Sequence, residues 1–114
     1  MNLADYLQHI LGILERAGYP ASPVDSRMGE PAEPGLYYAG RWERVFLCSP
    51  DHEHGLLRLE LLVVDSCLYD AARKAEAVRN ALSDGLGMRL AECSAVSFEE
   101  GERAIVRLTA RCFF

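Results

Sequence analysis

At 114 residues the chain has the length of one domain, and a chain of this size buries roughly 65% of its unfolded surface, so a core needs no metal or disulfide staple. With 50% hydrophobic and 25% charged residues the composition is globular, which excludes a disordered or fibrous chain. A net charge of -5, with a single lysine at Lys74 among the basic residues, argues against a groove-binding, sequence-specific nucleic-acid protein, although DNA that slides past without sticking is compatible with it.

The first element is a helix. Asn2 supplies a cap and Asp5 an acidic first turn, and Leu3, Tyr6, Leu7, Ile10, Leu11, Leu14 and Ala17 recur at the spacing of one helical face. Gly18, Tyr19 and Pro20 stop it, so the helix is expected over about 3 to 17, covering a sheet. Residues 18–35 hold four of the five prolines and three glycines, a density that neither a helix nor a central strand accepts. This stretch reads as a long loop with room for a short edge strand around Val24 to Met28. It is the first candidate for a partner-facing arm, with Arg27 and Met28 as contact residues.

Aromatic and β-branched residues gather over Leu36 to Ala39 and again over Trp42 to Ser49, as two strands or one bent strand. Residues 49–55, SPDHEHG, mark a turn. Leu57, Leu59, Leu61 and Val63 then alternate with Arg58, Glu60, Leu62 and Val64, an amphipathic strand that becomes apolar on both faces as it enters the sheet centre. Asp65 or Ser66 can cap a second helix over about 68 to 84, which buries Leu68, Ala71 or Ala72, Ala75, Val78 and Leu82 and ends at Gly85 and Gly87. Two more strands lie within Met88 to Phe98 and Glu102 to Phe114, joined by a turn at Glu99, Glu100 and Gly101. On the last of them Ala104, Val106, Leu108, Ala110 and Cys112 form one face. Arg103, Ile105, Arg107, Thr109 and Arg111 form the other, which reads as solvent-facing or an interface. The expected fold is α+β in a single domain over 1–114: N-terminal helix, β-hairpin, helix, β-hairpin, with two helices packed on a mostly antiparallel sheet.

No residue pattern specifies catalysis. Asp51, His52, Glu53 and His54, with Cys48 nearby, have metal-ligand character but sit in the predicted turn, and a zinc site needs four ligands on rigid elements; no metal or cofactor is expected. Asp65 with Asp70, and Glu99 with Glu100 and Glu102, fall where caps and surface turns belong rather than where acid/base pairs do. Cys48, Cys67, Cys93 and Cys112 contain no close pair and read as small buried hydrophobes of a reducing compartment. Neither GxGxxG nor GxxxxGK[ST] occurs. With no secretory leader pattern and no apolar run approaching about 20 residues, a cytoplasmic protein without membrane contact is expected. Arg103, Arg107 and Arg111 are candidate interface residues, with Glu92 as a cross-strand partner. Trp42, Tyr37 and Tyr38 can anchor either core or interface; core suits Trp42, and an interface or loop contact suits one tyrosine.

The order of elements and three stretches, LADYLQHILGILERAGYP, LRLELLVVDSCLYDAARKAEAVRNALSD and the terminal RLTARCFF, resemble the small minor capsid and tail-terminator, or head-tail joining, proteins of phages and prophages. The helix of that family carries a YDxAxxxAExVxxxL texture, met here by Tyr69, Asp70, Ala72, Ala75, Glu76, Val78 and Leu82. The Pro-rich loop, and Glu99, Glu100, Gly101 and Glu102 in place of a GxDExG turn, depart from it. The resemblance implies a non-enzymatic structural protein that assembles with itself into a ring and meets tail-tube and head-connector proteins, in the bacterial cytoplasm and then in the virion. The contrasting expectations are a small α+β ligand-binding or regulatory module, or a metal-dependent enzyme using His52 and His54.

Overall fold

The structure, a computed structural model, describes residues 3–24, 33–49 and 52–113; for residues 3, 41–49, 52–54 and 100 it describes the backbone alone. Helix α1 (Leu3–Arg16) is followed by strands β1 (Ala21–Pro23), β2 (Gly35–Ser49) and β3 (His52–Asp65), helix α2 (Leu68–Leu86), a 3-10 turn at Gly87–Arg89, and strands β4 (Leu90–Glu100) and β5 (Arg103–Phe113). One sheet holds all five strands in the order β1-β2-β3-β5-β4, antiparallel except for the β1 and β2 pair. The expected α+β arrangement is the one formed.

Alternation along β3 and β5 decides which face is covered. Leu57, Leu59, Leu61 and Val63 of β3 join Ala104, Val106, Leu108, Ala110 and Cys112 of β5 in one core, under Tyr6, Ile10 and Leu14 of α1 and Ala71, Ala75, Val78 and Leu82 of α2. Helix α1 closes as a Schellman motif: the Tyr19 N–H donates to the Leu14 carbonyl (2.9 Å) and the Gly18 N–H to that of Glu15 (3.0 Å), with Gly18 at φ 91. Tyr19 then packs on the core, which fixes the direction in which the chain leaves the helix.

Several expectations are corrected. The α1 stripe includes Ile13, buried where α1 meets α2, while Ala17 is exposed. Helix α2 runs through Gly85 and is capped by Gly87 at φ 56, so only the second glycine ends it. Gly85 instead gives α1 room, because a Cβ there would stand 2.8 Å from Ile13 Cγ2 and Cδ1. Gly85→Ala should therefore destabilise by about 1 kcal/mol: overpacking costs about 1–3 kcal/mol and outweighs about 1 kcal/mol of helix propensity. In an Ile13→Ala background the same change should become stabilising, and a thermodynamic cycle from urea unfolding reads that reversal of sign.

A short edge strand forms at Ala21–Pro23; of the stretch expected to hold one, Val24 to Met28, only Val24 is among the described residues. It runs parallel to β2 over Leu36–Tyr38 and is extended by the Val24 N–H donating to the Tyr38 carbonyl (2.9 Å). Prolines suit this outer position, where the ladder asks for fewer donors. Of the two arrangements left open for residues 35–49, the single strand is the one formed, with irregularities between Trp42 and Arg44 and between Leu47 and Ser49. The expected turn at 49–55 shrinks, since His52 to Gly55 belong to β3 and pair with β2. The second hairpin turns at Gly101 and Glu102, with Gly101 at φ 64 in the first turn position, as a tight hairpin of this hand requires.

Leu68 is 37% exposed and Ala72 is exposed, while Leu86 joins the buried stripe of α2. The cap is neither Asp65 nor Ser66. Cys67 precedes the helix with an extended backbone, and its thiol donates to Asp70 Oδ2 (3.2 Å). Of the cysteines, Cys112 is buried, Cys93 half-buried and Cys67 exposed, so the reading of all four as buried hydrophobes fails at Cys67; the side chain of Cys48 lies outside the described residues. Asn2 and Phe114 also lie outside them.

Candidate subunit interface

The sheet is covered unevenly. Helix α2 touches β3, β4 and β5, and a groove of about 390 Å³ remains between it and the outer strand, lined by Ala72, Ala75, Glu76, Arg79, Ala95 and Ser97 over Val106 and Leu108. Small side chains on both walls create this space. Beyond the groove β4 is an edge strand, with β5 as its partner and nothing on its other side among the described residues. Its run Cys93–Phe98 contains no charged residue and no proline, and Val96 is 63% exposed. Edges of this kind present unpaired backbone groups, and natural proteins ordinarily blunt them with Lys, Pro or bulges. The one irregularity of β4 lies at its start, between Leu90 and Glu92.

At the other side of the sheet β1 pairs with β2 only over Leu36–Tyr38, so from Ala39 to Ser49 the outer edge of β2 has no strand partner among the described residues. The β2 and β3 hairpin also outruns β5: the β3 to β5 pairing covers Leu56 to Asp65, whereas the β2 to β3 pairing continues to His52.

The face turned away from the helices carries the arginines, and the register arranges them in rows. Arg41, Arg58 and Arg111 are directly opposite one another across β2, β3 and β5, and the row ends on Glu92 of β4, whose carboxylate lies 3.5 Å from Arg111 Nη1. Arg58 Nη2 also lies 3.8 Å from Glu60. A second row runs Tyr37, Leu62, Arg107, Val96. There Arg107 stands 5.8 Å from the centre of the Phe98 ring, and the Tyr37 hydroxyl donates to the Glu33 carbonyl (3.0 Å), the loop contact expected of one tyrosine. Tyr38 points to the opposite face and packs on the main core, so the two tyrosines do not form one patch. Arg103 pairs in register with Glu100. The structure thus brings Arg103, Arg107, Arg111 and Tyr37 onto one face, apart from Tyr38. Arg27 and Met28 lie outside the described residues, as does the side chain of Trp42, whose register opposite Leu57 is on the helix face.

This arginine face is not simply solvated. Leu62, Val64 and Ile105 form a second buried cluster on it, with Val24, Tyr37 and Phe98 packed around them. The apolar second half of β3 had signalled burial on both faces. The matching burial of Ile105 among arginines had no signal in the alternation of β5.

The carboxylates do structural work. Asp65, 8% exposed, accepts from the Ser66 N–H (2.7 Å) and from Lys74 Nζ (2.5 Å) in the second turn of α2. The Lys74 hydrogen bond, then that of Ser66, holds the Asp65 carboxyl below its ordinary range against the opposing effect of burial. The Asp65 bond in turn raises Lys74. A lowered folded-state value gives stability that is present above the unfolded value, about pH 3.9, and lost as pH falls through the folded value. A raised lysine gives stability present below its unfolded value, about pH 10.4, and lost as pH rises through the folded one. Lys74 is about half exposed, so solvent screening holds the pair to about 1 kcal/mol. Asp65→Asn should lose about that much at pH 7 and show a shallower acid limb than the native chain in urea unfolding at pH 7 and pH 3, the outcome that marks Asp65 as its source. Burial pushes the thiols of Cys112, to about 11, and of Cys93 upward, keeping both protonated near neutrality and poor nucleophiles.

Among the described residues no three His, Cys, Asp or Glu side chains gather as a metal site, and the side chains of the His52 to His54 run lie outside them. No helix among the described residues is long and apolar enough to cross a membrane. The fold defines the class: among the described residues, an α+β domain of two helices on one face of a five-stranded, mostly antiparallel sheet. The chain matches no protein-family model and no curated protein sequence.

Proposed function

We propose that the chain is a non-enzymatic structural subunit of a phage or prophage particle, a tail terminator or other head-tail joining component that assembles with its own copies into a ring. Its partners on this reading are further copies, the tail-tube protein and the head connector, first in the bacterial cytoplasm and then in the virion. One observation carries the reading: among the described residues the sheet has no further strand beyond β4 on one side or along most of β2 on the other, the surface a subunit needs to add to a copy on each flank. Contacts between two different surfaces that close on themselves give rings.

The resemblance in α2 adds support. Of its textured positions, Ala75, Val78 and Leu82 are buried and belong to packing, but Tyr69, 71% exposed, and Asp70, Ala72 and Glu76 are on the surface, where the core does not call for them. Negative-stain microscopy of the purified chain, alone and mixed with the tail-tube and connector proteins encoded beside it, tests the reading. Annular particles, or capping of tail tubes at one uniform length, are expected. A chain that binds neither protein and forms no particle, or a gene neighbourhood of metabolic rather than capsid and tail genes, refutes it.

A further inference from the structure

We infer that copies of this chain join head to tail by strand addition, the β4 edge of one pairing antiparallel with the Ala39–Ser49 edge of β2 in the next. The inference deepens the ring reading and rests on it.

Strand direction comes first. Across the sheet, β2, β3, β5 and β4 alternate in direction, each antiparallel to its neighbour. A second copy placed in the same orientation beyond β4 therefore presents its β2 antiparallel to β4, and the alternation continues unbroken. Antiparallel pairing gives the perpendicular ladder that an exposed edge offers to an added strand. The two edges are also the same length, Leu90–Glu100 and Ala39–Ser49, and β1 occupies only the first part of β2. The irregularities between Trp42 and Arg44 and between Leu47 and Ser49 interrupt that ladder at two places, as they do against β3.

Charge then selects this pairing over the symmetric one. Strand β4 carries Glu92, Glu99 and Glu100 and no basic residue, whereas the open run of β2 carries Arg41 and Arg44 with Glu43. Two β4 edges brought together would oppose carboxylates to carboxylates, and like charges directly opposite destabilise a sheet. A β2 edge brings arginine to glutamate. Within one copy, the register row Arg41, Arg58, Arg111 ends on Glu92 at the β4 edge, where the Glu92 carboxylate meets Arg111. A neighbour's β2 extends the sheet on the acidic side of that row. The groove between α2 and β4 lies on the helix side of the same edge, walled by Ala72, Ala75, Ala95 and Ser97, and receives the alternate side chains of the added strand.

A charge-swap mixing experiment tests this. Glu92→Lys with Glu99→Lys makes β4 basic against a basic β2; Arg41→Glu with Arg44→Glu makes β2 acidic against an acidic β4. Neither variant alone should form species above monomer in sedimentation, while an equimolar mixture, in which both kinds of contact are complementary, should restore assemblies larger than a pair. Variants that assemble alone as the native chain does, or a mixture that stops at a pair, overturn this contact. In the first of those cases a native ring would still stand, by some other surface. A second measurement uses the native chain only: amides of Cys93–Phe98 should exchange with solvent at least about tenfold more slowly in the assembly than in dilute monomer. Unchanged exchange there in an assembled sample overturns the proposal, and a native chain that never assembles removes both this contact and the ring reading.

Discussion

Leu61→Ala should cost about 3–4 kcal/mol, lowering the urea midpoint without changing the slope of the transition. Leu61 is fully buried at the middle of β3, with Tyr38 of β2 and Leu108 of β5 opposite it in register and the helices above. Truncation removes the transfer free energy of the lost carbons and leaves a cavity that strands held on both sides relax into only partly. Against a total of about 5–15 kcal/mol for a domain of this kind, that is a large share of the stability. Val96→Ala, on the exposed β4 edge, should stay within about 0.5 kcal/mol. Equal effects at the two positions would contradict the assignment of the core.

Ile105→Ala should cost nearly as much, about 2–4 kcal/mol, although it lies on the face turned away from both helices. Alternation alone places Ile105 among Arg103, Arg107 and Arg111, where a solvated side chain loses almost nothing on truncation. The structure places it at 0% exposure with Leu62 and Val64, inside a ring of Val24, Tyr37 and Phe98. A urea titration of Ile105→Ala separates the two readings. A shift under about 0.5 kcal/mol would mean that this face has no core of its own.

These positions mark how far the sequence could be read. The β3 and α2 unit was legible because period-two and helical spacing report directly on burial: Leu57, Leu59, Leu61, Ala75, Val78 and Leu82 all lie where that spacing puts them. Alternation failed where burial depends on a neighbour. Ile13 is buried because α1 meets α2 at Gly85, and nothing within α1 announces a contact more than seventy residues away. Cys67 takes the capping position because α2 begins at Leu68, while the Asp65 carboxylate is held by Lys74 and Ser66.

The candidate site was legible only as residue types. The Arg face of β5 was visible, and so was Glu92 as a partner for it, since both follow from one hairpin. The row that joins Arg41 to Arg58 and Arg111 requires strand order and register, which a sequence pattern does not supply. The same holds for the open edges. That β5 inserts between β3 and β4, leaving β4 outermost, is a property of topology alone.

A subunit that assembles as proposed must form particles larger than a dimer. Sedimentation of the full chain over a wide concentration range, alone and with the tail-tube and connector proteins, decides whether it does. One closed species larger than a dimer is expected, reached by raising concentration or by adding a partner protein. A chain that sediments as a monomer at every concentration, with and without those proteins, would contradict the proposed assembly.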